Sequence, residues 1–220
     1  MAKRIVFWGD SITDSLRDQK DEQHLGGYSR ALGSGYVRLI EAHLGFEYPQ
    51  VYEVINRGIS GNRIVDLYAR IKADLINLKP DVVSILIGIN DVCHEYASHN
   101  GVSAEKFELV YDLIIQEIKA ALPNVQILIL EPFVLPGSCT VTTEDKPNCW
   151  EFVSLETKLR QNAARRIAEK HGLIFVPLQD AFTEANDKLG QMGYWLGDGV
   201  HPHGAGHELI KRKWLEAFLK

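Results

Sequence analysis

Apolar positions follow two alternating rhythms along the chain. Short runs rich in β-branched residues occur at Ile5–Trp8, Val51–Ile55, Val82–Ile87, Val125–Leu130 and Leu173–Val176. The third and fourth are almost continuously apolar, as strands covered on both faces should be. The second includes Tyr52 and Glu53, which suits the edge of a sheet. Between these runs the spacing turns helical, with apolar residues at i, i+3, i+4 and i+7. One stripe joins Ile64, Leu67, Tyr68, Ile71, Leu75 and Leu78, and a second joins Phe107, Val110, Tyr111, Ile114 and Ile118. A third runs through Leu155, Leu159, Ala163 and Ile167, and a last through Ile210, Trp214, Ala217 and Phe218. Pro80, Pro123, Pro132 and Gly172 punctuate the joints. Such alternation predicts a three-layer α/β/α sandwich around a five-stranded parallel sheet, its crossovers right-handed. The segments Asp18–Gly35, Cys93–Ser103, Val134–Trp150 and Leu189–His203 read as irregular.

Composition narrows the classes. The 220 residues are 45% hydrophobic and 24% charged, an ordinary globular balance. No linker divides them, so one domain over residues 1–220 is expected. Lys and Arg number 24 against 29 Asp and Glu, a net charge of −5 without any basic run. That balance argues against nucleic acid or an anionic membrane as partner. No apolar run approaches the roughly 20 residues of a membrane-spanning helix. Ile5–Trp8 is too short for the core of a signal peptide, so a mature chain starting at Met1 in the cytoplasm is expected. Cys93, Cys139 and Cys149 form no C-x-x-C pair and are read as reduced thiols. Cys139 and Cys149 flank a polar loop, and pairing between them belongs to an exported protein only.

The chemistry gathers where predicted strands end. Strand one runs into Gly9-Asp10-Ser11-Ile12-Thr13-Asp14. A serine opening a helix there meets backbone N–H groups and the positive end of the helix dipole, which favour negative charge. An ordinary N-cap explains the same residues. Strand two ends in Gly58-Ile59-Ser60-Gly61-Asn62, whose glycines let backbone approach a ligand or simply make a turn with Asn62 as N-cap. Strand three ends in Gly88-Ile89-Asn90-Asp91. Asn90 can donate its amide to a developing oxyanion, or close an Asx-turn. Near the C-terminus, Asp198 stands three residues before His201, close enough to hold Nδ1–H and leave Nε2 as a base. In open α/β sheets ligands bind beyond the carboxyl ends of the strands at the switch point. A strand order of 2-1-3-4-5 brings Ser11, Gly61 and Asn90 together at that place.

These four segments, spanning Gly9 to Pro202 in order, resemble the consensus blocks of the SGNH hydrolases, also called the GDSL esterase/lipase family. The resemblance implies the flavodoxin-like order 2-1-3-4-5. It implies Ser11 as nucleophile, His201 as base and Asp198 as the acid that orients it. It further implies the Ser11 and Gly61 N–H groups and the Asn90 amide as oxyanion donors. Ile12 departs from the family's leucine by a residue of like size. Gly35-Tyr36-Val37, Ile87 to Val92 and Val200-His201-Pro202 narrow the likeness to bacterial intracellular acetylxylan esterases.

Other readings are weaker. Gly33-Ser34-Gly35 follows no strand and has Arg38 where a dinucleotide fingerprint needs its third glycine. His201, His203 and His207 lack the carboxylate pattern of a zinc site, so neither metal nor other cofactor is expected. Asp10, Tyr28, Arg63 and Trp195 are taken as substrate-side residues, the aromatic rings for stacking on a sugar and Arg63 for its hydroxyls. Tyr96, Trp150 and Tyr194 also lie in or beside these loops. Hydrolysis of a small acyl ester of a sugar or oligosaccharide is the expected activity. Lysophospholipase, thioesterase and sugar O-acetyltransferase stay open beside it, as does a non-enzymatic carbohydrate-binding module. Self-association through the C-terminal helix stays open as well.

Overall fold

The computed structural model describes residues 2–20 and 30–220. Five strands, β1 (Lys3–Gly9), β2 (Tyr52–Gly58), β3 (Val82–Leu86), β4 (Gln126–Leu130) and β5 (Ile174–Val176), form one sheet. All neighbours are parallel, and the order is β2-β1-β3-β4-β5, as expected. Nine helices are described: α1 (Ser11–Asp14), α2 (Tyr36–Glu47), α3 (Ile64–Ala69), α4 (Ile71–Asp74), α5 (Ile89–Ser98), α6 (Ala104–Ala121), α7 (Cys149–His171), α8 (Gln179–Leu189) and α9 (Gly204–Phe218).

Strand periodicity of two sorts the core into two layers. Ile5 and Phe7 of β1, with Leu86, Leu128 and Leu130, meet Tyr36, Ile40 and Trp214 from α2 and α9. Val6 and Trp8, with Val83, Ile85 and Ile129, meet Leu67, Phe107, Ile114 and Ile167 from α3, α6 and α7. The one polar side chain inside β3, Ser84, accepts the indole N–H of Trp214 at 3.0 Å, which pairs that buried donor.

Four local expectations change. Helix α2 buries Tyr36, Val37, Ile40 and Leu44, a stripe present in the sequence but not read from it. Helix α5 occupies most of Cys93–Ser103; only Ile89, Asp91 and Val92 are buried, too few for a visible period. Helix α8 anchors through Phe182 alone among its buried residues. The stripe at Ile64–Leu78 is broken into α3, α4 and a 3-10 turn at Ile76–Leu78, with the first break at Arg70. Helix α7 buries Ala163 and Ile167 of its stripe, but Leu155 is 62% exposed, while Arg160 and Gln161 are buried. Those polar side chains reach backbone carbonyls, Arg160 that of Val102 and Gln161 that of Pro132, which lets them displace leucines from the core.

Candidate active site

Strand register fixes the levels of the site. Gly9 pairs with Gly58 on one side and Leu86 on the other, so the segments carrying Ser11, Gly61 and Asn90 all emerge from one edge of the sheet. Asp10 caps α1, its Oδ1 accepting the Ile12 N–H at 3.0 Å. This sets Ser11 at the first helical position. The turn is pressed against the end of β2. A Cβ on Gly58 would sit 2.1 Å from the Asp14 backbone nitrogen, so only glycine fits. Buried Asn56 stitches the same junction. Its Nδ2 donates to the carbonyls of Thr13 at 2.7 Å and Leu32 at 3.0 Å, while its Oδ1 accepts the Gly58 N–H at 2.8 Å.

The loop before α9 brings the acid–base pair over this turn. His201 Nε2 lies 2.9 Å from Ser11 Oγ, and His201 Nδ1 lies 2.7 Å from Asp198 Oδ2. Asp198 Oδ1 also accepts the backbone N–H groups of Val200 and His201, at 2.9 and 2.8 Å. With the Nδ1 proton donated to Asp198, Nε2 is left to accept from the serine hydroxyl. Partial burial opposes the Asp198 charge. The hydrogen bonds from the His201 ring and from the two backbone N–H groups outweigh it, holding the carboxyl well below the usual range. The reciprocal bond from Asp198 raises the His201 pKa above the ordinary imidazole value, against the pull of its own burial. Main-chain bonds brace the loop: Cys139 N–H donates to Asp198 O and Leu135 N–H to Gly199 O.

The opposite wall is the turn after β2. Gly61 has φ of +81°, a left-handed conformation that glycine adopts without strain. Asn90 Nδ2 donates to Asn62 O at 3.1 Å, which ties the amide beside that turn. The Ser60 hydroxyl donates to Asp14 Oδ2 at 2.9 Å. Asp91, fully buried, caps α3 from the neighbouring segment. Its two oxygens accept the Ile64 N–H at 3.0 and 3.2 Å. Burial pushes the Asp91 pKa up to about 7. Asp10 is likewise pushed up to about 7 by burial, with the Ile12 N–H and the nearby His201 charge pulling it back down.

Of the four residues taken as substrate-side, three are described. Asp10 is only 1% exposed and works as a cap beneath the serine, so it is not a surface for substrate. The Arg63 guanidinium is committed to Asp66 and to the carbonyl and side chain of Asn100. Arg63 and not Asn62 is the N-cap of α3, because Asp66 accepts its backbone N–H. Trp195 lines a separate cleft of about 610 Å³ with Pro177, Ala181, Ala185 and Leu209; Ser11, Asp198 and His201 are not part of its lining. Tyr28 lies outside the described residues. Tyr96 donates to Pro147 O, and Tyr194 packs edge-on against Trp195. Among the described residues no group of three or more His, Cys, Asp or Glu side chains is placed to hold a metal ion. His207 Nδ1 instead accepts the Tyr36 N–H, and burial lowers its pKa to about 4. Asp91 and Arg70 carry no sequence signal that ties them to these segments.

A hydroxyl, an imidazole and a carboxylate in one hydrogen-bonded line can make and collapse a tetrahedral intermediate at an acyl carbon. The model of the GDSL-like lipase/acylhydrolase family matches residues 7–209. The chain belongs to this family. It is 34% identical to an acetylxylan esterase of Geobacillus stearothermophilus over 97% of this chain and 92% of that one. A crystal structure of an acetylxylan esterase from that organism superposes with a TM-score of 0.81 at 33% identity, covering 98% of this chain and 93% of that chain. A GDSL-like protein of Parabacteroides merdae superposes at 0.87, with 34% identity and coverage of 99% and 96%. As a GDSL-family member with these relatives, the protein is a carboxylic ester hydrolase. No helix among the described residues is long and apolar enough to cross a membrane.

Proposed function

We propose that the protein releases small acyl groups, acetyl above all, from acetylated sugars or xylo-oligosaccharides through an acyl-enzyme on Ser11. His201 takes the Ser11 proton as Oγ attacks the ester carbonyl, and then gives it to the leaving alcohol. In the second half it takes a proton from water as the oxygen attacks the acyl carbon, and it returns that proton to Ser11 Oγ as the C–O bond breaks, freeing the carboxylic acid. Asp198 holds the imidazole in its tautomer and balances the charge of the imidazolium. The N–H groups of Ser11 and Gly61 and the Asn90 amide receive the oxyanion. No step calls for a metal or another cofactor.

The observation that carries this reading is the Ser11–His201–Asp198 line, at 2.9 and 2.7 Å. The acyl preference is supported by small and polar segments around it, Gly9-Asp10-Ser11, Gly58 to Asn62 and Gly88 to Asp91. Such walls offer little apolar surface to a long chain, which gains about 0.8 kcal/mol for each buried CH₂. The sugar side is supported by the acetylxylan esterase relative. The three cysteines are free thiols, which supports a reducing cytoplasmic setting. The test is acid release from a panel of acetylated xylo-oligosaccharides, lysophospholipids and acyl-CoA thioesters. Fastest turnover is expected on the acetylated sugars. Preference for lipid or thioester overturns the sugar assignment, and acetyl transfer to an added sugar at the expense of hydrolysis overturns the choice of water as acceptor.

A further inference from the structure

A part-buried cation below the site, Arg70, has no part in the proton transfers proposed above. Arg70 sits where α3 stops and α4 begins, and its side chain turns back toward the carboxyl ends of the strands. Nη2 donates to Gly9 O at 2.9 Å, at the end of β1. Nη1 donates to Arg57 O at 2.9 Å, near the end of β2, and to Asp74 Oδ2 at 2.7 Å. Nε donates to Asn62 Oδ1 at 2.7 Å. The guanidinium carbon also lies 5.6 Å from the centre of the Trp8 ring. Asp74 pairs the charge, and the side chain is 14% exposed.

Asn62 is the residue that this fork reaches, and it stands between two candidate oxyanion donors. Gly61 precedes it directly. The Asn62 backbone carbonyl accepts Asn90 Nδ2 at 3.1 Å, which leaves the second amide hydrogen of Asn90 for a ligand. The Asn62 N–H closes the turn onto Ile59 O at 3.2 Å. A rotation of Asn62 therefore displaces the Gly61 N–H and the Asn90 amide together. Among the described residues the Asn62 side chain has one hydrogen bond, the one from Arg70.

We propose that Arg70 is a positioning residue for the oxyanion hole, fixing Asn62 and through it the Gly61 and Asn90 donors relative to the ends of β1 and β2. This inference rests on the hydrolase reading above. The job needs a planar fork with several donors in fixed directions. Lysine carries one ammonium group on a flexible stem and cannot span the same acceptors. Donors aimed at an oxyanion act mainly in the transition state, so misplacing them lowers kcat and leaves KM nearly unchanged.

The experiment compares wild type, Arg70→Lys, Asn62→Ala and the double variant on p-nitrophenyl acetate, with Ser11→Ala as control and circular dichroism to check folding. Each single variant is expected to lose roughly 10- to 100-fold in kcat, as small misplacements do, with KM within about twofold. The double variant should be hardly worse than either single one, because both break the same link. If Arg70→Lys fails to fold, Asn62→Ala carries the test, since it leaves the other Arg70 bonds in place. A variant that lowers only thermal stability, a loss confined to KM, or additive losses in the double variant overturns the positioning role. Hydrolysis that Ser11→Ala does not silence overturns the hydrolase mechanism itself, a result separable from the others.

Discussion

The two walls of the crevice are built differently. On the side of Gly61 and Asn90, each turn is anchored by a buried or part-buried polar side chain. Asn56 holds the Ser11 turn against β2, Asp91 caps α3, and Arg70 reaches two strand ends at once. On the side of Asp198 and His201, one irregular segment crosses the opening, held largely through main-chain bonds to residues 135 and 139. The His201 side chain is 53% exposed and that of Asp198 28%. The difference matches what each wall has to do. In the proposed mechanism charge develops on the first wall, where donors held in place stabilise it without reorganising. In the same mechanism protons pass through the second, where imidazole must trade with substrate and water and product must leave.

The largest effect that can break this division is His201→Ala. Losing the base should lower kcat on p-nitrophenyl acetate by on the order of 10⁵–10⁶, and a His201/Ser11 double variant should be no worse. Additive losses would place His201 outside the Ser11 unit. Asn90→Ala comes next, with an expected fall of about 10²–10³ in kcat and little change in KM. A change confined to KM would turn Asn90 into a binding residue and dissolve the contrast between the walls. Asp198→Ala should be milder than His201→Ala by roughly tenfold to a hundredfold, since the imidazole keeps its place in the loop and loses only its orienting partner.

The pH profile sharpens the comparison further. The base works only when neutral, so kcat/KM rises with pH as His201 loses its proton. Asp198 raises the His201 pKa, so the wild-type midpoint should lie above the ordinary imidazole value of about 6.5. Asp198→Ala should move it down, and an unchanged midpoint would assign the acid limb to another group. Asp10→Asn is the smallest effect. Asparagine keeps an oxygen for the Ile12 N–H but removes a negative charge beside His201, so the midpoint should fall slightly. The same change has a stability signature of known sign. Folding holds the Asp10 pKa at about 7, above the value of about 3.9 in an unfolded chain, so ionisation costs stability progressively between those values as pH rises. Thermal unfolding of Asp10→Asn should lack that part of the pH dependence.

What was legible in the sequence follows the same line. Strand runs, sheet order and the short segments after β1, β2 and β3 are linear patterns, because a parallel sheet delivers successive strand ends to one edge. The Asp198–His201 turn is local in the same way. Arg70 and Asp91 are not. Arg70 meets Gly9 at a separation of 61 residues, and Asp91 meets Ile64 at 27, with no motif linking either pair. Arg63 and Trp195 lie away from Ser11 for another reason. A loop residue in a sequence has a neighbourhood but no direction, and tertiary packing sent one to Asp66 and Asn100 and the other into the cleft between α8 and α9. Helix α7 shows the limit of hydrophobic spacing. Ala163 and Ile167 of the stripe are buried, but Arg160 and Gln161 find carbonyl partners inside while Leu155 and Leu159 stay outside, so the stripe marks only half of the inward face.

The most direct test of the central claim is to treat the protein with a serine-directed phosphonate, map the adduct by mass spectrometry and follow p-nitrophenyl acetate hydrolysis in the same samples. The account predicts one phosphonyl group per chain, on the peptide containing Ser11, appearing in step with loss of activity. It also predicts neither adduct nor turnover in a folded Ser11→Ala variant. Labelling at another residue that tracks inactivation, or a Ser11→Ala variant that keeps even a tenth of the wild-type kcat, would contradict it.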